Sequence, residues 1–213
     1  MGFTYPRIYP ILDSSFIPAQ NRETFLHQLG TSLTAAGVTL LEYRNKTGPD
    51  AEIVSDAAIL RSAMPSGKVK LILDDRTDLV EQKCLDGVHV DAGDRTPAQA
   101  RQLLGPNRII GTFGGSEALL PGILNAPVDY LAIGPVFETR TKHTDKAPIG
   151  IDGVRRLRQQ AGPDRVLSAA AGITFETVQS VLDAGATMVA VAEAIFRTSD
   201  PAAEFRRWID NLR

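Results

Sequence analysis

Residues 129–142 read DYLAIGPVFETRTK. A short apolar run, Tyr130 to Ile133, leads directly into Gly134-Pro135, and Thr139, Thr141 and Lys142 follow within a few positions. A strand that ends in such a loop offers backbone N–H groups and hydroxyls to an oxyanion, and the lysine adds a compact positive charge. Two further cations, Arg44 and Lys46, sit together after another apolar run. With Lys142 they could clamp a diphosphate, arginine through bidentate contacts and lysine as a point charge. Asp75 and Asp94 each lie just beyond a short apolar segment. A carboxylate pair of this kind could share one Mg²⁺ with diphosphate oxygens, because magnesium is typically held by one or two carboxylates plus phosphate and water. Gly172, followed by Ile173-Thr174 and a helix, could present N–H groups to a phosphate.

These residues need a frame that brings them together. Strand-like segments fall at 8–12, 40–44, 70–74, 87–90, 109–112, 130–133, 166–169 and 188–191. They are short and apolar, as strands buried on both faces should be. Amphipathic stretches alternate with them. Residues 22–36 carry Phe25, Leu29, Leu33 and Ala36 on one face, and 50–63 and 97–104 behave alike. A further helix is expected over 174–184, with Thr174 at its start and Gly185 just past its end, and another over 201–212 with Pro201 at its start. This alternation predicts an α/β protein, a (β/α)8 TIM barrel of one domain over 1–213, near the lower size limit of roughly 200 residues. The competing open, doubly wound sheet lacks its dinucleotide fingerprint after the first strand.

In such a barrel the chemistry gathers at the C-terminal ends of the strands. The residues predicted there are Arg44 and Lys46, Asp74 and Asp75, His89, Asp91 and Asp94, Thr112 and Phe113, Thr139, Thr141 and Lys142, Ala171 and Gly172, and Ala192 and Glu193. Most have a plainer structural reading beside the chemical one. Asp75-Arg76 could be a surface ion pair, His89 a buried side chain bonded to backbone, and Cys84 a small core residue. Lys142 could be solvated in a locally basic segment with Arg140, His143 and Lys146. The gathering of these charges at one barrel end favours the chemical reading.

Composition narrows the partners. The chain has 23 basic and 25 acidic residues, a formal net charge of −2. That balance gives no electrostatic reason to expect nucleic acid or a membrane surface. One cysteine, Cys84, excludes an internal disulfide. No signal peptide and no apolar run of the ~20 residues needed for a membrane helix is evident. A cytoplasmic protein fits, and a homodimer is an assembly open to a barrel of this size.

The ordered motifs resemble the thiamine-phosphate synthase family. LEYRNK (41–46) is similar to the family's Q-x-R-x-K, and LILDDRTDLV (71–80) to I-N-D-R-x-D-L-A. DGVHVDAGD (86–94) is similar to G-V-H-L-G-Q-x-D, and 129–142 to D-Y-x-x-x-G-P-V-F-x-T-x-T-K. AAGI (170–173) and AVAEAI (190–195) resemble G-G-I and V-A-V-x-S-A-I. The resemblance implies a Mg²⁺-dependent transferase of thiamine biosynthesis. Such an enzyme joins hydroxymethylpyrimidine diphosphate to a thiazole phosphate by a dissociative route and releases diphosphate. It implies that Asp75 and Asp94 bind Mg²⁺, and that Arg44, Lys46 and Lys142 hold the diphosphate. Thr139, Thr141, Gly172, Ala192 and Glu193 would face the thiazole phosphate.

Five positions depart from the family pattern: Glu42 for Gln, Asp74 for Asn, Phe113 for Ser, Ala171 for the first Gly of G-G-I, and Glu193 for Ser. Glu193 is the most consequential. Like charges ~4 Å apart at an effective dielectric near 20 repel by roughly 4 kcal/mol. That would weaken phosphate binding about a thousandfold unless the carboxylate turns away, is protonated or is paired by a cation. Glu42 and Asp74 could instead bind extra metal, and Phe113 could fill part of the pyrimidine pocket. The alternatives to a synthase are a thiazole tautomerase-like enzyme or a non-catalytic relative that binds an altered ligand. The segment after the fifth strand, Phe113-Gly114-Gly115-Ser116, lacks the His that such a tautomerase uses there.

Overall fold

The computed structural model describes residues 3–80, 85–91, 93–115, 119–138 and 147–212. Eight parallel strands close into a barrel in sequential order: β1 (Ile8–Asp13), β2 (Leu40–Arg44), β3 (Lys70–Asp74), β4 (Gly87–Val90), β5 (Ile109–Gly115), β6 (Tyr130–Ile133), β7 (Val166–Ala170) and β8 (Met188–Val191). Closure comes from β1 pairing β8, with Tyr9 opposite Ala190. Crossover helices follow the strands: α1 (Arg22–Ala36), α2 (Asp50–Ala63), α3 (Thr77–Val80), α4 (Pro97–Leu104), α5 (Leu120–Ile123), α6 (Gly150–Ala161), α7 (Val178–Asp183), α8 (Glu193–Phe196) and α9 (Pro201–Asn211).

Successive strand residues point to opposite faces, so each strand feeds two cores. On β2, Leu41 and Tyr43 join the large outer core between barrel and helices. Leu40 lies in a smaller inner cluster with Tyr9, Ile72, Ile109, Tyr130 and Met188. That cluster plugs the floor of the barrel, so the interior is packed rather than open. Gly111 is required there: a Cβ at this position would lie 2.0 Å from the Tyr130 ring.

Local signals explain most boundaries. Thr96 and Gln99 form a reciprocal capping box at α4, with Pro97 opening the helix. Asp200 caps α9 through Ala202 and Ala203 N–H. α1 ends at Gly37, whose left-handed backbone lets its N–H reach the Leu33 and Thr34 carbonyls.

The helix expected over 174–184 is shorter than the sequence suggests, covering Val178–Asp183. Thr177 Oγ1 accepts the Thr174 N–H at 2.9 Å, which makes a separate turn of 174–177. Threonine hydroxyls compete with helical hydrogen bonds in this way. β5 runs three residues past the expected Thr112, with a register shift between Phe113 and Gly115 that bends the strand end. Among the described residues no helix is long and apolar enough to cross a membrane.

Candidate active site

The C-terminal ends of β1 to β4 carry a chain of alternating charges. Asp13 and Arg44 are register partners on neighbouring strands, and the Arg44 Nη1 bonds the Asp13 carboxylate. Arg44 Nε lies 3.5 Å from Asp74 Oδ2, and Lys46 Nζ lies 2.9 Å from the same oxygen. Lys46 also pairs with Asp75. Burial opposes the charge on both cations, but the carboxylates more than offset it and raise both pKa values.

The outer face of β2 braces this chain. Tyr43 bonds Asp56 of α2, Asn45 Nδ2 donates to the Tyr43 hydroxyl at 3.1 Å, and Arg22 of α1 grips Asp56 at 2.6 Å. Asn45 also accepts the Gly48 N–H at 2.8 Å. The loop that bears Lys46 is thereby tied to two helices.

Asp75 and Asp94 come together across β3 and β4. Asp75 N–H donates to the His89 carbonyl at 2.8 Å, which joins the two strand ends. Asp94 is held by the Asp91 N–H, which donates to its carboxylate at 2.9 Å. Burial, then the facing Asp75 carboxylate, pushes Asp94 up to about 6. Asp75 Oδ1 is buried without a hydrogen-bond partner, and Asp75 adopts a left-handed backbone at φ 64°. An orphaned oxygen beside a second carboxylate is a donor set suited to a hard divalent cation. No group of three or more metal-ligating side chains occurs among the described residues.

Below this mouth lies a buried polar network. Tyr9 donates to Glu42 at 2.7 Å and lies 3.1 Å from the Tyr130 hydroxyl, which is 3.0 Å from His89 Nδ1. The far ring nitrogen of His89 is 3.5 Å from Asp91. The partners of His89 are thus side chains rather than the backbone expected from sequence. Burial pushes Glu42 up to about 7, with the His89 charge opposing the rise and Asp74 adding to it. Burial alone would lower His89, but Asp91 and Glu42 raise it to about 9. Asp74 is raised chiefly by burial.

The opposite wall is built from small residues. Ala132 and Ser168 are register partners on β6 and β7, and Ala170 and Ala190 are partners on β7 and β8. The Ser168 hydroxyl is buried without a partner. Phe113 is half-buried and shares the inward face of β5 with Gly111. Two consecutive left-handed residues follow β7, Ala171 at φ 76° and Gly172 at φ 68°. Their turn packs against the strand-six loop: Val136 and Phe137 N–H donate to the Ala170 and Ala171 carbonyls. A Cβ on Gly172 would lie 2.4 Å from the Glu138 carbonyl oxygen.

After β8, the Ala192 carbonyl accepts the Ile195 and Phe196 N–H groups and opens α8. Glu193 pairs with Arg197 at 2.9 Å. The cation that the sequence left as a condition is therefore present. Thr139, Thr141 and Lys142 lie outside the described residues, as does Cys84. The structure thus assembles Arg44, Lys46, Asp74, Asp75 and Asp94 at one side of the mouth, over Glu42. Gly172, Ala192 and Glu193 end the strands at the other side.

Sequence reasoning missed Asp13, Tyr9 and Tyr130. Asp13 was within reach, because it ends the first strand just as the other candidates end theirs. Tyr9 and Tyr130 read as ordinary apolar strand residues, and only barrel closure brings their hydroxyls together.

A closed (β/α)8 barrel with cations and carboxylates gathered at the C-terminal ends of its strands is the architecture in which barrel enzymes carry their active sites. Residues 8–195 match the family described as thiamine monophosphate synthase. The chain belongs to that family. It is 41% identical over 206 residues to the thiamine-phosphate synthase of Koribacter versatilis, covering 96% of each chain. It is 37% identical over 191 residues to that of Agrobacterium fabrum, covering 87% of each. The thiamine phosphate pyrophosphorylase of Pyrococcus furiosus has the same fold, with a TM-score of 0.81 at 24% identity over 97% of this chain and 96% of that one.

Proposed function

We propose that this protein is a thiamine-phosphate synthase. It joins hydroxymethylpyrimidine diphosphate to a thiazole phosphate, forming thiamine phosphate and releasing diphosphate. The observation that carries this reading is the pairing of Arg44 and Lys46 with Asp74 and Asp75 at the barrel mouth. Cations held by carboxylates in a partly buried site are poised to exchange those partners for a polyanion. Arg44 and Lys46 bind the diphosphate ester and stabilise the charge that grows as diphosphate departs, the largest help a protein can give to such a step.

Asp75 and Asp94 are the residues that would hold Mg²⁺, which fits the orphaned Asp75 oxygen and the raised Asp94. When bound, Mg²⁺ supplies further charge stabilisation of the departing diphosphate. Glu42 and Asp74 line the floor of the pyrimidine side, and Phe113 offers a ring to the heterocycle. Lys142 joins Arg44 and Lys46 in holding the diphosphate, and Thr139, Thr141, Gly172 and the Ala192-Glu193 turn serve the thiazole phosphate. The Glu193–Arg197 pair supports a phosphate at that end, because the carboxylate is no longer an uncompensated charge. A cytoplasmic protein is the reading that fits the single cysteine in the sequence.

Incubation with both substrates and Mg²⁺ tests the proposal. Chromatography is expected to show thiamine phosphate appearing in step with released diphosphate. Absence of product at high enzyme concentration, combined with thermal stabilisation by an unphosphorylated thiazole alcohol, would point instead to an altered ligand.

A further inference from the structure

Asp13 is an unexpected residue to find at a mouth that takes a diphosphate. Its carboxylate adds a negative charge beside the ligand site, which by itself weakens binding of a polyanion. The geometry gives a reason for its presence. Asp13 and Arg44 are register partners on β1 and β2, so their side chains leave the sheet on the same face at the same height. Asp13 takes Arg44 by Nη1, and Asp74 approaches the other end of the same guanidinium, 3.5 Å from Nε. Two anchors at opposite ends of a planar group fix its plane as well as its position.

The aspartate is itself held. Its second carboxylate oxygen, Oδ1, accepts the Ser15 N–H at 2.9 Å and caps the short 3-10 turn Ser14–Phe16. Burial would raise its pKa, but the Ser15 and Arg44 contacts more than offset that and keep it ionised. Arg44 and Asp13 also share the wall of one cleft with Ser14, Ser15, Lys46 and Thr47.

We propose that Asp13 is a positioning residue for the diphosphate ester: by holding Arg44 from the β1 side, it presents a preoriented guanidinium to the leaving group. This rests on the synthase reading given above. A long arginine side chain loses several rotatable bonds when it binds a ligand, and fixing it beforehand removes that loss from the binding step. The gain from a preoriented guanidinium competes with the repulsion of the extra carboxylate. Orientation outweighs the repulsion.

The test separates holding from capping and from simple charge. Asp13→Ser keeps a side-chain cap for Ser15 but is too short to reach Arg44. Asp13→Asn keeps the cap through its single amide oxygen but turns N–H donors toward Arg44, so it also removes the hold. Calorimetry with Mg²⁺ and inorganic diphosphate reads the subsite directly, and steady-state kinetics read both substrates. Asp13→Ser is expected to raise the diphosphate Kd and the KM of the pyrimidine diphosphate by about tenfold. The KM of the thiazole phosphate should stay within about twofold, well under one decade of affinity. Asp13→Asn should show a loss of the same size, although it too removes a negative charge. In an Arg44→Ala background, Asp13→Ser should have no further effect on diphosphate binding.

Unchanged or tighter diphosphate binding by Asp13→Ser would overturn the proposal. So would an equal rise in both KM values, or an undiminished effect in the Arg44→Ala background. If the unsubstituted protein binds no diphosphate with Mg²⁺, the synthase reading falls and this proposal falls with it.

Discussion

The Glu193 carboxylate lies 2.9 Å from Nε of Arg197, the residue that caps the C-terminus of α8. Under the proposed function Glu193 faces the thiazole phosphate, and left alone its charge would repel that ligand. Arg197 neutralises it from the solvent side. The pair is exposed, so it contributes little to folding, about 0.3–0.5 kcal/mol. Its weight should fall on binding.

Arg197→Ala should therefore leave the denaturant midpoint almost unchanged and raise the KM for the thiazole phosphate several-fold. Glu193→Ser should lower that KM. Kinetics with each substrate varied in turn check both, and an Arg197→Ala variant with unaltered KM would remove the pair from the account.

Ala171 bears a methyl group at φ 76°, where the backbone favours glycine. A left-handed L-residue costs roughly 1–2 kcal/mol, and glycine returns part of that gain through its greater freedom when unfolded. Ala171→Gly should stabilise the protein by about 0.5–1 kcal/mol. Urea unfolding with an unchanged slope would read this, and a lower midpoint would contradict it.

Glu42 is raised to about 7 from an ordinary 4.5. The folded protein then binds a proton that the unfolded chain has lost between those values, so stability falls as pH rises from 4.5 to 7. His89, raised to about 9 from 6.5, acts in the same direction at higher pH. Its contribution is complete below 6.5 and fades as pH passes 9. Glu42→Gln keeps an acceptor for Tyr9 and removes the Glu42 titration. Its stability relative to the parent should improve across pH 4.5–7 by a few kcal/mol at most, on the order of 2–3. Parallel pH profiles for the two proteins would contradict this.

Asp94→Asn removes the charge that faces Asp75. Without metal the variant should be as stable as the parent or slightly more so, since like charges are no longer pressed together. With Mg²⁺ and both substrates it should lose activity by about a hundredfold or more, the scale of losing one charge-stabilising group. Loss of stability without loss of turnover would place Asp94 in the scaffold instead.

Much of this was legible in the sequence. β2, β3, β4, β6 and β8 fall at their expected bounds because each is a short apolar run closed by a charged residue or a turn. The cation pair Arg44 and Lys46 and the acids Asp74 and Asp75 could be placed at one rim, because every strand of a barrel ends at the same face. What was hidden depends on neighbours in space. The Glu193–Arg197 pair needed the short helix α8, and Asp13 needed the β1–β2 register. The Tyr9–Tyr130–His89 network needed a closed barrel, because β1, β4 and β6 are not adjacent. The late start of α7 came from the Thr177 hydroxyl, which no apolar periodicity reports.

The most direct test of the central claim is product formation by the unsubstituted protein beside its Arg44→Ala and Lys46→Ala variants, with hydroxymethylpyrimidine diphosphate, thiazole phosphate and Mg²⁺ present. The account predicts thiamine phosphate and an equal amount of diphosphate from the parent, and a rate lower by about a hundredfold in each variant. No thiamine phosphate from the parent, or parent-like rates from both variants, would contradict it.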